Sequence, residues 1–310
     1  MNSMSNKFKT TYMATLISVA ISVAGCTSSG DEPQFQYSSI PETEGLEVVN
    51  FRGVRSASSR HTDDGFETGD DIYVYPRRAT DTTLPSENRR YRYNGSAFVK
   101  YSTTSDITKK PGETLTYFAI NKYEQRNGNE FTLYSGYTDY LLCFMDSDDT
   151  EVLLGFAHFM PLLWIDIENA PSSIRKVTLL NVDNVVEVDG SDMTLSYDPL
   201  PGNEVEMSYS PAYGSYSYYL PPCVSPEKGE GFIRIYLTNG RTYLFGPPSD
   251  TRFEINNRYS WTADLSNARY ETSISRGNEQ QHVNTVTNVS TEAMTDTKGI
   301  SLNLNMKPKK

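Results

Sequence analysis

Phe232-Ile233-Arg234-Ile235-Tyr236-Leu237, then Asn239-Gly240, then Thr242-Tyr243-Leu244-Phe245, is the stretch that decides the fold class. β-Branched and aromatic side chains suit a pleated, half-buried surface. Asn-Gly between two such runs is a strong hairpin signal, because both turn residues must take positive φ. The same pattern recurs on either side. Tyr91-Arg92-Tyr93 and Phe98-Val99-Lys100-Tyr101 flank Asn94-Gly95, Ile72-Tyr73-Val74-Tyr75 ends at Pro76, and Leu115-Thr116-Tyr117-Phe118-Ala119-Ile120 follows Pro111-Gly112. Further strands are expected at residues 46–54, 131–134, 140–144, 152–156 and 162–167, the last beginning after Pro161 because proline is confined to strand starts, edges and bulges.

Beyond Pro171 the pattern restarts, at residues 174–182, 193–197, 213–220, 253–255 and 259–265. No long segment carries a helical apolar period. The sequence therefore predicts an all-β chain of packed sandwiches, with one unit at 45–170 and a second at 171–266. Residues 267–310 read as a polar arm. The arm ends in an amphipathic strand, where Ile300, Leu302, Leu304 and Met306 alternate with polar residues before Lys307-Pro308-Lys309-Lys310.

At the other end, Lys7 and Lys9 precede a short apolar run that exits through Val23-Ala24-Gly25-Cys26. A basic start, an apolar stretch of about a dozen residues and small residues at the exit read as a secretory signal over 1–25. The run is shorter than the roughly 20 apolar residues a membrane-spanning helix needs. The exit resembles a bacterial lipobox, which makes Cys26 the expected lipidation site and residues 26–44 a flexible tether. An ordinary secretory signal with an incidental cysteine is the alternative.

Residues 1–25 hold two lysines and no acid, so their removal takes the net charge from −11 to −13. So acidic a chain lacks the basic footprint of a nucleic-acid binder, and equally that of a polybasic membrane-surface module. Besides Cys26 only Cys143 and Cys223 are present. They either pair in an oxidising compartment or stay as two separate buried thiols.

The histidines, His61, His158 and His282, are far apart and have no Cys or acid neighbours at ligand spacing. The acid run Asp146-Ser147-Asp148-Asp149-Thr150-Glu151 lacks the glycine of a calcium loop and reads as a solvated hairpin loop. No nucleophile elbow, phosphate loop or dinucleotide fingerprint occurs. No metal, cofactor or catalytic residue is expected, so the chain reads as a non-enzyme. Tyr209, Tyr213, Tyr216, Tyr218 and Tyr219 form the one aromatic-rich patch. Exposed tyrosines stack on sugar rings or anchor protein partners, although tyrosine also simply favours strands.

The lipobox, then Phe66-Glu67-Thr68-Gly69-Asp70-Asp71-Ile72-Tyr73-Val74-Tyr75, then Tyr93-Asn94-Gly95-Ser96-Ala97-Phe98 resembles the opening of the fimbrillin family of Bacteroidales surface lipoproteins. Asp139-Tyr140-Leu141-Leu142, Leu154-Gly155-Phe156-Ala157-His158, Leu163-Trp164-Ile165-Asp166-Ile167 and the run from Phe253 to Trp261 are similar to later elements of that family. The sequence departs from the family at Met160-Pro161 and at Asn256-Asn257.

The resemblance implies two transthyretin-like β-sandwich domains in tandem. It also implies a fimbrial subunit, tip or anchor in the outer membrane, supporting adhesion and assembling with other fimbrial subunits. In polymerising members a cut after an arginine removes the first strand, and a strand from the next subunit fills the groove by β-strand addition. Arg55 and Arg60 are the candidate processing sites here. Ile300, Leu302, Leu304 and Met306 form the candidate donor strand. A monomeric glycan-binding surface lipoprotein is the alternative reading.

Overall fold

The computed structural model describes residues 45–54, 66–222, 224–271, 282–294 and 305–307. Cys26, Arg55, Arg60, Cys223, Ile300, Leu302 and Leu304 lie outside the described residues, as do the expected signal and tether. Among the described residues there is no α-helix.

The first strands are β1 (Glu47–Val48), β2 (Asn50–Val54), β3 (Asp71–Arg78), β4 (Arg89–Tyr93), β5 (Phe98–Lys100), β6 (Thr108–Lys109) and β7 (Leu115–Ile120). Next come β8 (Arg126–Asn127), β9 (Glu130–Tyr134), β10 (Leu141–Ser147), β11 (Glu151–Gly155), β12 (Ala157–His158) and β13 (Leu162–Glu168). Then follow β14 (Ile174–Leu180), β15 (Val185–Asp189), β16 (Thr194–Ser196), β17 (Glu204–Glu206), β18 (Ser208–Ser210) and β19 (Ser215–Tyr219). The last are β20 (Ile233–Leu237), β21 (Thr242–Gly246), β22 (Asn257–Asp264), β23 (Asn284–Thr285), β24 (Thr287–Ala293) and β25 (Asn305–Lys307).

Eight strands form one sheet in the order β11-β2-β5-β4-β3-β7-β10-β12. Laid flat, its two edges would stand about 34 Å apart at 4.8 Å per strand. Yet β11 ends at Gly155 and β12 begins at Ala157, with Phe156 alone between them. Two residues of chain reach about 7 Å. The sheet must therefore curl over its own contents, which gives the sandwich-like form. Inside it lies a core that includes Phe51, Tyr91, Tyr117, Leu154 and Phe156.

A second core takes residues from Tyr75 to Val286, with Trp261, Phe253, Leu163, Ile235 and Phe131 among its fully buried members. Three five-stranded sheets contribute to it: β18-β19-β13-β22-β24, β17-β14-β20-β21-β23 and β25-β16-β15-β9-β8. The expected boundary at 170/171 falls between β13 and β14. Ladders cross that position: β13 pairs with β19 and β22, and β9 pairs with β15.

The hairpin that set the fold class forms as β20 and β21, with Ile233 opposite Phe245 and Tyr236 opposite Thr242. The hairpin at Asn94-Gly95 pairs Tyr93 with Phe98, and Gly95 takes φ +99°. Three local expectations differ. Residues 253–255 are not a strand, although Phe253 is fully buried and its N–H donates to the Val224 carbonyl at 2.9 Å. The acid run at 146–151 joins β10 to β11, which are not paired, so it is a crossing between strands and not a hairpin loop. The polar arm contains a seven-residue strand, β24, which carries no apolar alternation and has every side chain exposed. Backbone pairing to β22, an Arg258–Glu292 ion pair and hydrogen bonds from Thr287 and Asn288 to Thr262 hold it in place.

Candidate functional site

The first two strands among the described residues occupy a slot. Glu47 and Val48 of β1 pair with Lys109 and Thr108 of β6. One residue later β2 runs parallel to β11, from Asn50 opposite Glu151 to Val54 opposite Gly155, while Phe51 pairs with Phe98 of β5 on the other side. The alternation is that of a half-buried strand. Val49 and Phe51 are buried at 2% and 1% exposure, whereas Asn50 and Arg52 face outward. Phe51 meets Tyr91 and Tyr117 edge-on, the latter at 5.4 Å. Each buried anchor is worth roughly 1.5–3 kcal/mol.

Polar contacts fix the register. The Val49 N–H donates to the Ile107 carbonyl at 2.9 Å and the Asn50 N–H to the Thr150 carbonyl at 2.8 Å. Asn50 Nδ2 donates to Glu151 Oε1 at 2.9 Å. Arg52 and Glu151 sit 3.6 Å apart on the surface, a pair of small energetic weight. The Glu47–Lys109 pair is different in kind. Lys109 Nζ lies 3.3 Å from Glu47 Oε2, and the lysine side chain is 1% exposed against 42% for the glutamate. No sequence signal singles Lys109 out; it sits in the polar run Thr108-Lys109-Lys110 that resembles a surface turn.

Of the candidate donor strand, Met306 is in β25, whose backbone pairs parallel with β16 of the same chain, opposite Leu195. The tyrosines divide between surface and core. Tyr209 and Tyr213 are exposed at 54% and 47%, whereas Tyr216 and Tyr219 are half-buried. Tyr218 is buried, its hydroxyl 3.1 Å from Ser135 Oγ. Two ring pairs reach the surface: Tyr209 on Tyr216 at 5.0 Å, and Tyr213 on Trp164 at 4.9 Å. Sequence reading missed Trp164 as a partner of this patch, because 49 residues separate it from Tyr213 and only the β13–β19 ladder unites them.

His158 is buried at a strand end, its Nδ1 2.8 Å from Asp139 Oδ2. Its carbonyl accepts from the Asn256 N–H. Among the described residues no group of His, Cys, Asp and Glu is placed to hold a metal.

A cleft of about 1140 Å³ opens beside β3 and is lined by Tyr75, Arg78, Arg89, Tyr123 and Arg126 among others. Its cations are engaged within the chain. Arg126 donates to the Leu84, Pro85 and Gly128 carbonyls, and Arg78 pairs with Glu113 at 2.8 Å.

No protein-family model and no curated protein matches the chain. Solved structures share its fold. A candidate cell adhesion protein from Bacteroides uniformis superimposes with a TM-score of 0.58 at 15% identity, covering 82% of this chain and 99% of that one. A second, from Bacteroides ovatus, gives 0.52 at 15% identity over 77% and 98%.

Proposed function

We propose that the chain is a non-enzymatic, lipid-anchored surface protein of the outer membrane. It joins other fimbrial subunits by strand replacement and supports adhesion. The observation that carries this reading is the position of β2. It is gripped on both sides, with Phe51 buried within it and Val49 buried just before it, and it is followed at once by Arg55. A cut after Arg55 or Arg60 would free residues up to the cut and leave an apolar slot between β5 and β11. A strand with period-two apolar anchors fills such a slot through backbone hydrogen bonds.

The alternating C-terminal segment at 300–306 is the candidate donor to another subunit. The names of the two solved structures, which assign them to cell adhesion, agree with this role. Lipidation at Cys26 would tether the uncut chain.

The test is intact mass and N-terminal sequence of the protein recovered from the cell surface. A chain beginning at Ser56 or His61 supports strand replacement; one beginning at acylated Cys26 leaves an uncut anchor or monomer. Deleting residues 299–310 is expected to abolish polymers, and unimpaired polymers would overturn the donor assignment. The contact of exposed Tyr213 with half-buried Trp164 favours a second reading, a monomeric glycan-binding lipoprotein. Saccharide binding without polymerisation would select it.

A further inference from the structure

The slot holds one charge that a replacement strand has to answer. Lys109 is 1% exposed, and Glu47 of the first strand is the acid beside it. While the slot is empty, water can reach the ammonium. Once another strand closes over it, the ammonium is desolvated again. A buried charge whose partner has been removed is strongly destabilising, so a strand without an acid at this place binds weakly however well its apolar residues fit.

Glu47 stands two residues before Val49, the first buried anchor. For a strand running the same way, the residue at that offset faces Lys109. In the chain's own C-terminal segment the four apolar positions are Ile300, Leu302, Leu304 and Met306. Whichever of them takes the place of Val49, the residue two before it is Lys298, Ile300, Leu302 or Leu304. None is acidic, and the register that uses all four anchors sets Lys298 against Lys109. From Thr297 to Lys310 there is no carboxylate side chain at all.

We infer that the slot selects a strand carrying Asp or Glu two residues before its first buried apolar side chain, and that it rejects the C-terminal strand of a second copy. The partner that fills the slot is thus a chain of a different kind, with an acidic residue leading its donor strand. This rests on the strand-replacement reading and adds like-charge rejection as the means of partner choice.

The test uses the full chain cut with trypsin and four labelled peptides: residues 47–54, the same peptide with Glu47→Gln, residues 298–306, and that peptide with Lys298→Glu. Binding is read by fluorescence anisotropy. The 47–54 peptide is expected to bind at least about tenfold tighter than its Glu47→Gln form. The 298–306 peptide should be weak and should gain about tenfold from Lys298→Glu. In a Lys109→Met chain, whose slot keeps its volume without the charge, both differences should vanish. Equal binding of the two 47–54 peptides to the cut wild-type chain would overturn carboxylate selection alone. Failure of trypsin to release the N-terminal fragment, with no binding of any peptide, would overturn strand replacement and carboxylate selection with it.

Discussion

The Phe51 ring meets the Tyr91 ring edge-on, with centroids 4.9 Å apart. The contact joins the first strand to the interior of the curled sheet. Phe51→Ala should therefore cost about 3–5 kcal/mol, the usual price of truncating a buried phenylalanine. Urea unfolding would measure the loss. Faster amide exchange confined to residues 47–54 would show that the strand loosens before the rest.

Asp71 accepts from both Arg92 and Arg90, with Arg92 Nε at 2.9 Å. Burial pushes its carboxyl up, but the two guanidinium groups together outweigh this and hold it below the ordinary carboxylate value. A depressed folded value means the stabilisation is complete above the unfolded value near ~4 and is lost as pH falls through the folded one. Asp71→Asn should cost on the order of 1 kcal/mol at neutral pH, discounted for solvent screening. It should also flatten the loss of stability as pH falls below about 4, which acid titration of the unfolding midpoint would read.

A Cβ at Gly246 would stand 2.0 Å from the Glu230 carbonyl oxygen, whereas one at Gly231 would meet Leu244 Cδ2 at 2.7 Å. Backbone cannot yield as a leucine rotamer can. Gly246→Ala is expected to cost more than about 3 kcal/mol, and Gly231→Ala about 1–3 kcal/mol. Melting temperatures of the two variants would check the order.

Tyr213 and Tyr218 should respond oppositely to truncation. Tyr213→Ala removes a ring that is 47% exposed and should shift stability by less than about 1 kcal/mol. Tyr218→Ala empties a core position and loses the Ser135 contact, at about 3 kcal/mol or more. Only the first variant is a clean probe of saccharide or partner binding.

Cys143 is free and buried on β10, and burial pushes its thiol up to about 12. At pH 8 the folded chain should leave it unalkylated by iodoacetamide, because the thiolate is the reactive form. Labelling should appear only on unfolding. Modification of Cys143 in the native state at the rate of an exposed thiol would contradict its placement.

The strands that could be read from sequence are those whose side chains report burial. β3, β7 and β20 carry runs of aromatic and β-branched residues because they face a core. β24 carried no such mark, since its seven side chains are all exposed and it binds β22 through backbone and polar contacts. β15, with Val185, Val186 and Val188, was missed between the strands predicted at 174–182 and 193–197. The tyrosine patch showed its composition but not its division, because Tyr216 and Tyr218, two residues apart on β19, differ in what packs over them. Lys109 gave no sign at all. A buried lysine is distinguished by the partner above it, and Glu47 lies 62 residues earlier in the chain.

The position of β2 also sets an order in time. It emerges from the ribosome before either neighbour, since β5 begins at Phe98 and β11 at Glu151. During synthesis this strand has nothing to pair with until residues 98–100 and 151–155 have followed it. The molecule therefore passes through a state in which the edges that grip residues 50–54 are still open. A foreign strand that reached this open edge would compete with residues 47–54 at the disadvantage of a separate chain, whose effective concentration is lower than that of a tethered segment.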